Sequence, residues 1–184
     1  MHTPHRHAWQ LLLLILLTAA CNPGPLRIAV LMPRPHSPGG APAMTLAADS
    51  VNAAGGVAHR QIELVPVYYD ETTTPEALQE LAESVAADES YVAAIGPGSS
   101  ADLLQVADRF AQHRKPLVSF TSTSAEVLRA YGGQGFLWRT RESDIAQTEL
   151  LLRYAQTQGA KRLALLTSAA PDGYTFFSWF GFFA

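Results

Sequence analysis

The sequence predicts an α/β fold built on one doubly wound parallel sheet. Three observations carry that reading. Apolar runs of strand length alternate with segments of helical period. The runs are continuous rather than alternating, the pattern of strands covered by helices on both faces. Turns rich in glycine, proline or hydroxyls separate the segments. At 184 residues and 48% hydrophobic, the chain can bury the core of one ordinary domain and is short for two full lobes.

Residues 1–20 read as an export signal of lipoprotein type. A polar start containing His5, Arg6 and His7 precedes the apolar run Leu11 to Leu17, and the small residues Ala19 and Ala20 follow. The run is too short to cross a bilayer, which takes about 20 apolar residues. The only cysteine, Cys21, stands where the small residues end the run, which resembles the lipobox of bacterial lipoproteins. That resemblance implies that Cys21 is the lipid attachment site and new N-terminus, anchoring the chain to a membrane in the periplasm or at the cell surface. Thr18 occupies the usual leucine position of the lipobox, with Leu17 one place earlier, so an ordinary signal peptide with a free cysteine is the alternative. Either version exports the chain. Asn22 supplies no aspartate-type retention signal for the inner membrane, so outer-membrane or outward-facing placement is the default for a lipoprotein.

His2, His5 and His7 form no metal site, because no carboxylate or thiol accompanies them and the segment is expected to be cleaved. The net charge is −3, and residues 1–20 carry one arginine and no other charge, so the remainder is one unit more acidic. Nucleic acid is therefore not an expected partner.

Residues 21–26 form the anchor and a short linker, with proline and glycine opposing regular structure. The fold starts near Arg27, and Ile28 to Met32 is the first strand. Met44, Ala47, Ala48 and Val51 fall at i, i+3, i+4 and i+7, giving a helix closed by Gly55-Gly56. Gln61 to Asp70 is the second strand. Pro66 cannot donate to a ladder, which places this strand at the sheet edge, as a flavodoxin-like order requires. Thr74-Pro75-Glu76 opens the second helix, whose buried face is Leu78, Leu81, Ala82 and Val85.

Tyr91 to Ile95 is the third strand, followed by the turn Gly96 to Ser100 and a helix whose inner stripe is Leu103, Val106, Ala107 and Phe110. Then come a strand at Leu117 to Phe120, a short helix from Ser124 to Ala130 and a strand at Phe136 to Arg139. A helix from Ile145 to Gln158 ends at Gly159, and Arg162 to Leu166 is a sixth strand. No internal repeat is visible. Tyr174 to Ala184 begins a helix that is apolar nearly all round and ends without a cap or a following strand, so the chain is read as truncated. An aromatic tail docking a membrane surface is the rival, and it lacks the basic face of an interfacial helix.

In open α/β sheets ligands sit at the carboxyl ends of the strands, and two loops qualify. In Gly96-Pro97-Gly98-Ser99-Ser100 the glycines admit close backbone approach. The helix that follows presents unpaired N–H groups and its dipole, suiting a carboxylate or phosphate. The alternative is a serine that only caps the helix. Ser119-Phe120-Thr121-Ser122-Thr123-Ser124 offers hydroxyls that can bind the ammonium and carboxylate of an amino acid, or alternatively serve as turn and cap chemistry.

Enzymatic readings are weak, and no cofactor is expected. No glycine stands two residues after Ser99 or Ser100 to make a nucleophile elbow, no P-loop lysine is present, and His36, His59 and His113 are isolated.

The ordered set Ala94 to Ser100, Lys115 to Glu126, Phe136 to Thr140 and Ser143-Asp144, with Asn52 to Gly56 and Tyr69-Asp70, resembles the Leu/Ile/Val-binding protein family. These are type I periplasmic binding proteins of ABC importers. The resemblance implies that residues 27–184 are a flavodoxin-like N-terminal lobe. It also implies a non-enzymatic substrate-binding component that captures a branched-chain-like amino acid or small amide and delivers it to a transporter permease.

Ser100, Thr121 and Thr123 are then the groups on the ligand's α-carboxylate and α-ammonium, with Ser99 and Ser122 as neighbours reached by a one-residue slip. Tyr174 or Asp172 takes the place of a tyrosine after the sixth strand. The sequence departs from the family in Phe120, where proline is usual, and in the segment from Pro33 to Pro42, which contains no aromatic. Lacking a second lobe, the chain alone is expected to bind poorly or not at all. The alternatives are a ligand-sensing ectodomain and a truncated fragment that only docks a membrane or protein partner.

Overall fold

A computed structural model describes residues 24–34, 40–167, 169 and 171–183. The export signal, the histidines in it, Cys21 and His36 lie outside the described residues.

Five parallel strands form one sheet in the order β2-β1-β3-β4-β5. They are β1 (Leu26–Arg34), β2 (Ile62–Asp70), β3 (Tyr91–Ile95), β4 (Leu117–Ser119) and β5 (Leu137–Arg139). Between them run α1 (Gly40–Ala53), α2 (Pro75–Ala87), α3 (Ser100–Gln112) and α4 (Ala125–Tyr131) with a short 3-10 turn (Gly132–Gln134); α5 (Asp144–Thr157) and α6 (Pro171–Phe183) follow β5. The second strand lies at the edge as its proline demands, Pro66 opposite Val30 of β1. Thr74 caps α2 by accepting from the Ala77 N–H at 3.3 Å, with proline at the first helical position.

One sheet face is sealed. Ala29, Leu31, Ala94 and Leu117 meet Leu78, Ala82 and Val85 of α2 and Leu103, Val106 and Phe110 of α3, all at most 4% exposed. The other face is only partly covered by α1, which has no fully buried residue. Its stripe Met44, Ala47, Ala48 and Val51 does turn to the sheet, leaving an apolar cleft of about 160 Å³ against Ile28, Ile62, Leu64 and Ile95.

The expected sixth strand is not formed. Residues 160–167 have no regular structure, and Leu163 and Leu166 are 49% and 99% exposed. A strand needs a neighbour for its backbone N–H and C=O groups, and this run pairs with no strand of the sheet, which ends at β5. The aromatic helix expected near the end is present as α6, packed mainly on α5 and also touching α3 and α4. No helix of the described residues is long and apolar enough to cross a membrane.

Candidate functional site

β3 and β4 are adjacent in the sheet, so the loops leaving their carboxyl ends lie side by side. The first of them borders the place where the strand order reverses, between β1 and β3, and the second lies one strand further on. Gly96 starts the first loop at φ +102, and a Cβ there would collide with the Leu31 carbonyl. The loop closes as a helix cap. Ser99, extended and exposed, accepts from the Asp102 N–H at 3.0 Å. Tyr69 at the end of β2 donates its hydroxyl to Asp102 Oδ2 at 2.9 Å. Burial, reinforced by that carboxylate, pushes the phenol pKa above its ordinary 10.0, so Tyr69 remains a donor at neutral pH.

The second loop alternates its side chains. Ser119, Ser122 and Ser124 are fully buried, whereas Thr121 and Thr123 are half-buried. The inward hydroxyls tie the loops together. Ser100 Oγ lies 3.0 Å from Ser122 Oγ and accepts from the Ser124 N–H at 3.4 Å; Ser119 Oγ accepts from the Ser122 N–H at 3.2 Å. Thr121 Oγ1 donates to the Gly98 carbonyl at 2.6 Å, a second link between the loops. No buried side-chain nitrogen or oxygen among the described residues lacks a partner.

The geometry sorts the sequence-predicted residues. Ser100, Thr121, Ser122 and Thr123 are brought together, while Ser99 sits beside them with its hydroxyl committed to capping. Tyr174 is not in the cluster: it is 63% exposed on α6, while the next residue, Thr175, is buried with its Oγ1 3.4 Å from Ser124 Oγ.

Sequence reasoning named Ser119 and Ser124 only as members of the hydroxyl-rich loop and assigned no role to Thr175, Arg139 or Asp144. The last two stand in the motif that carries the family resemblance, which was the available signal; Thr175 had none. Asp144 is 2% exposed. Burial raises its pKa against the opposing pull of the Ala125 and Ile145 N–H groups and the charge of Arg139.

Chemically, the site offers hydroxyls beside the start of α3, where first-turn N–H groups and the helix dipole favour an anionic group. Nothing among the described residues activates a serine. His113 caps the far end of α3 and contacts Glu83 at 2.7 Å.

A family model described as "Periplasmic binding protein" matches residues 32–181. No curated protein matches the chain. Among solved structures, the chain is similar to an ABC transporter substrate-binding protein from Desulfitobacterium hafniense, also solved in complex with Leu. The identity is 24% and the TM-score 0.76, over 86% of this chain and 46% of that one. It is similar to a leucine binding protein from Thermotoga maritima at 23% identity and TM-score 0.68, over 86% and 45% of the two chains. It is also similar to an ABC transporter solute binding protein from R. palustris in complex with 4-hydroxybenzoate, at 19% identity and TM-score 0.69, over 86% and 43%. The chain thus spans less than half the length of each of these proteins. The family match contains both loops of the site and four of the five strands whole, and the chain belongs to the periplasmic binding protein family, an extracytoplasmic family of solute-binding proteins.

Proposed function

We propose that residues 27–184 form the lobe of an ABC importer's solute-binding component that holds the polar end of an amino acid with a branched apolar side chain, or of a small amide. The component carries out no catalysis, is tethered outside the cytoplasm through lipid on Cys21, and delivers its ligand to a permease. The observation that carries this reading is the convergence of two hydroxyl-bearing loops at neighbouring strand ends, bonded to each other through Ser100 and Ser122. The α3 amino terminus and Thr123 suit the α-carboxylate and α-ammonium of such a ligand. Proteins of this fold solved with Leu and with 4-hydroxybenzoate support a ligand that carries a carboxylate.

One lobe supplies half of a clamp, so affinity is expected in the millimolar range, about 4 kcal/mol. Calorimetric titration of the chain with L-leucine tests this. Saturable binding is expected, with Ser100→Ala and Thr123→Ala each weakening it by about 1–3 kcal/mol. The reading fails if leucine and 4-hydroxybenzoate both give no saturable heat, or if both variants bind as the parent does.

A further inference from the structure

The second loop is not held by its own Ser119–Ser122 bond alone. Its backbone is gripped by the last residue of β5 and the first of α5, neither of which belongs to the hydroxyl cluster. Arg139 Nη1 donates to the Thr123 carbonyl at 3.0 Å and to the Ser124 carbonyl at 3.1 Å. The Asp144 N–H donates to the same Thr123 carbonyl at 3.0 Å, and Asp144 Oδ2 accepts from the Ala125 N–H at 3.4 Å. Asp144 is held in turn: its Oδ1 accepts from the Ile145 N–H at 2.9 Å, and its carbonyl accepts from the Thr148 hydroxyl at 2.7 Å. Thr148 is itself fully buried. Three consecutive residues, Thr123 to Ala125, therefore have backbone groups bonded to one cation and one carboxylate.

We infer that Arg139 and Asp144 are positioning residues for the ligand site, bracing Thr123 to Ala125 so that Ser122 and Ser124 turn inward and Thr121 and Thr123 face the ligand. The inference rests on the proposed binding role of those threonines and adds two residues that touch no ligand themselves. A brace of this kind confers affinity through preorganisation: a loop already fixed in the bound shape loses less freedom when the ligand arrives. An arginine suits the task because a single guanidinium nitrogen, with two hydrogens, serves both carbonyls.

The test compares Arg139→Met, Arg139→Lys and the control Leu152→Ala, which removes a buried side chain of α5 that makes none of the brace's side-chain hydrogen bonds. Two readouts are taken on each: amide exchange of Ser122, Ser124 and Ala125, and calorimetric affinity for L-leucine. In Arg139→Met, exchange at these amides is expected to be about tenfold faster than in Leu152→Ala, with leucine affinity about tenfold weaker, and Arg139→Lys is expected to recover part of both. The inference is overturned if the loop amides exchange no faster in Arg139→Met than in the control, or if affinity in all three variants simply follows their melting temperatures. Should the parent chain show no leucine binding, the proposed function fails, and the exchange comparison still decides whether the brace shapes the loop.

Discussion

The two loops at the strand ends, though bonded to each other, are held differently. The first carries a cap of its own, Ser99 accepting from the N–H three residues on, and is steadied besides by Tyr69 of the edge strand, which reaches Asp102 across 33 residues. The second is held from afar. Arg139 reaches it across 16 residues, Asp144 across 19, and Thr175 across 51. A loop fixed locally keeps its form wherever its helix forms, whereas one fixed from a distance depends on the rest of the chain being in place. The difference separates a helix end that carries its own cap from a loop whose backbone is set by residues further along the chain.

Both loops rest on the core beneath α3, so the largest disturbance should come from there. Phe110→Ala is expected to cost about 3–5 kcal/mol in a chemical-denaturation measurement, and a much smaller loss would mean that α3 is not the common base. Ser100→Ala should follow at about 1–3 kcal/mol, since it leaves the Ser122 hydroxyl and the Ser124 N–H without their partner. Ser99→Ala should cost about 0.5–2 kcal/mol through loss of the cap alone, with leucine affinity unchanged. A fall in affinity with Ser99→Ala would blur the contrast between capping and binding hydroxyls.

The smallest effect is one of pH. The folded chain holds the Asp144 proton more tightly than the unfolded chain, because burial raises its pKa above the ordinary 3.8. The stabilisation this gives is complete below about pH 3.8 and is lost as pH rises through the folded-state value. Asp144→Asn should remove that slope from the pH dependence of the melting temperature, and an unaltered slope would assign it to another group.

The same contrast explains what the sequence could reveal. Continuous apolar runs predicted the five strands, Pro66 predicted which of them lies at the edge, and Thr74 and Gly159 marked helix ends at the right places. All of these are consequences of a residue's own geometry or of its near neighbours. The apolar stripe of α1 told which side faces the sheet but not that a cleft would remain, because closure depends on what else packs there. The run Arg162 to Leu166 has strand composition yet finds no partner strand. At the site, the hydroxyl-rich loops were legible as loops, and the inward or outward role of each hydroxyl was not. On α6 the choice between Tyr174 and Thr175 is a rotation of about 100° per residue, fixed by packing on α5 rather than by composition.

The central claim is that the two loops together hold the polar end of an amino acid. Amide chemical shifts of the isotopically labelled chain, followed during titration with L-leucine at millimolar concentration, test it most directly. The account predicts saturating shifts concentrated at Ser100, Ala101, Thr121 and Thr123, with Ser178 and the exposed end of α6 unmoved. Saturating shifts confined to other surfaces, or none at any concentration reached, would contradict it.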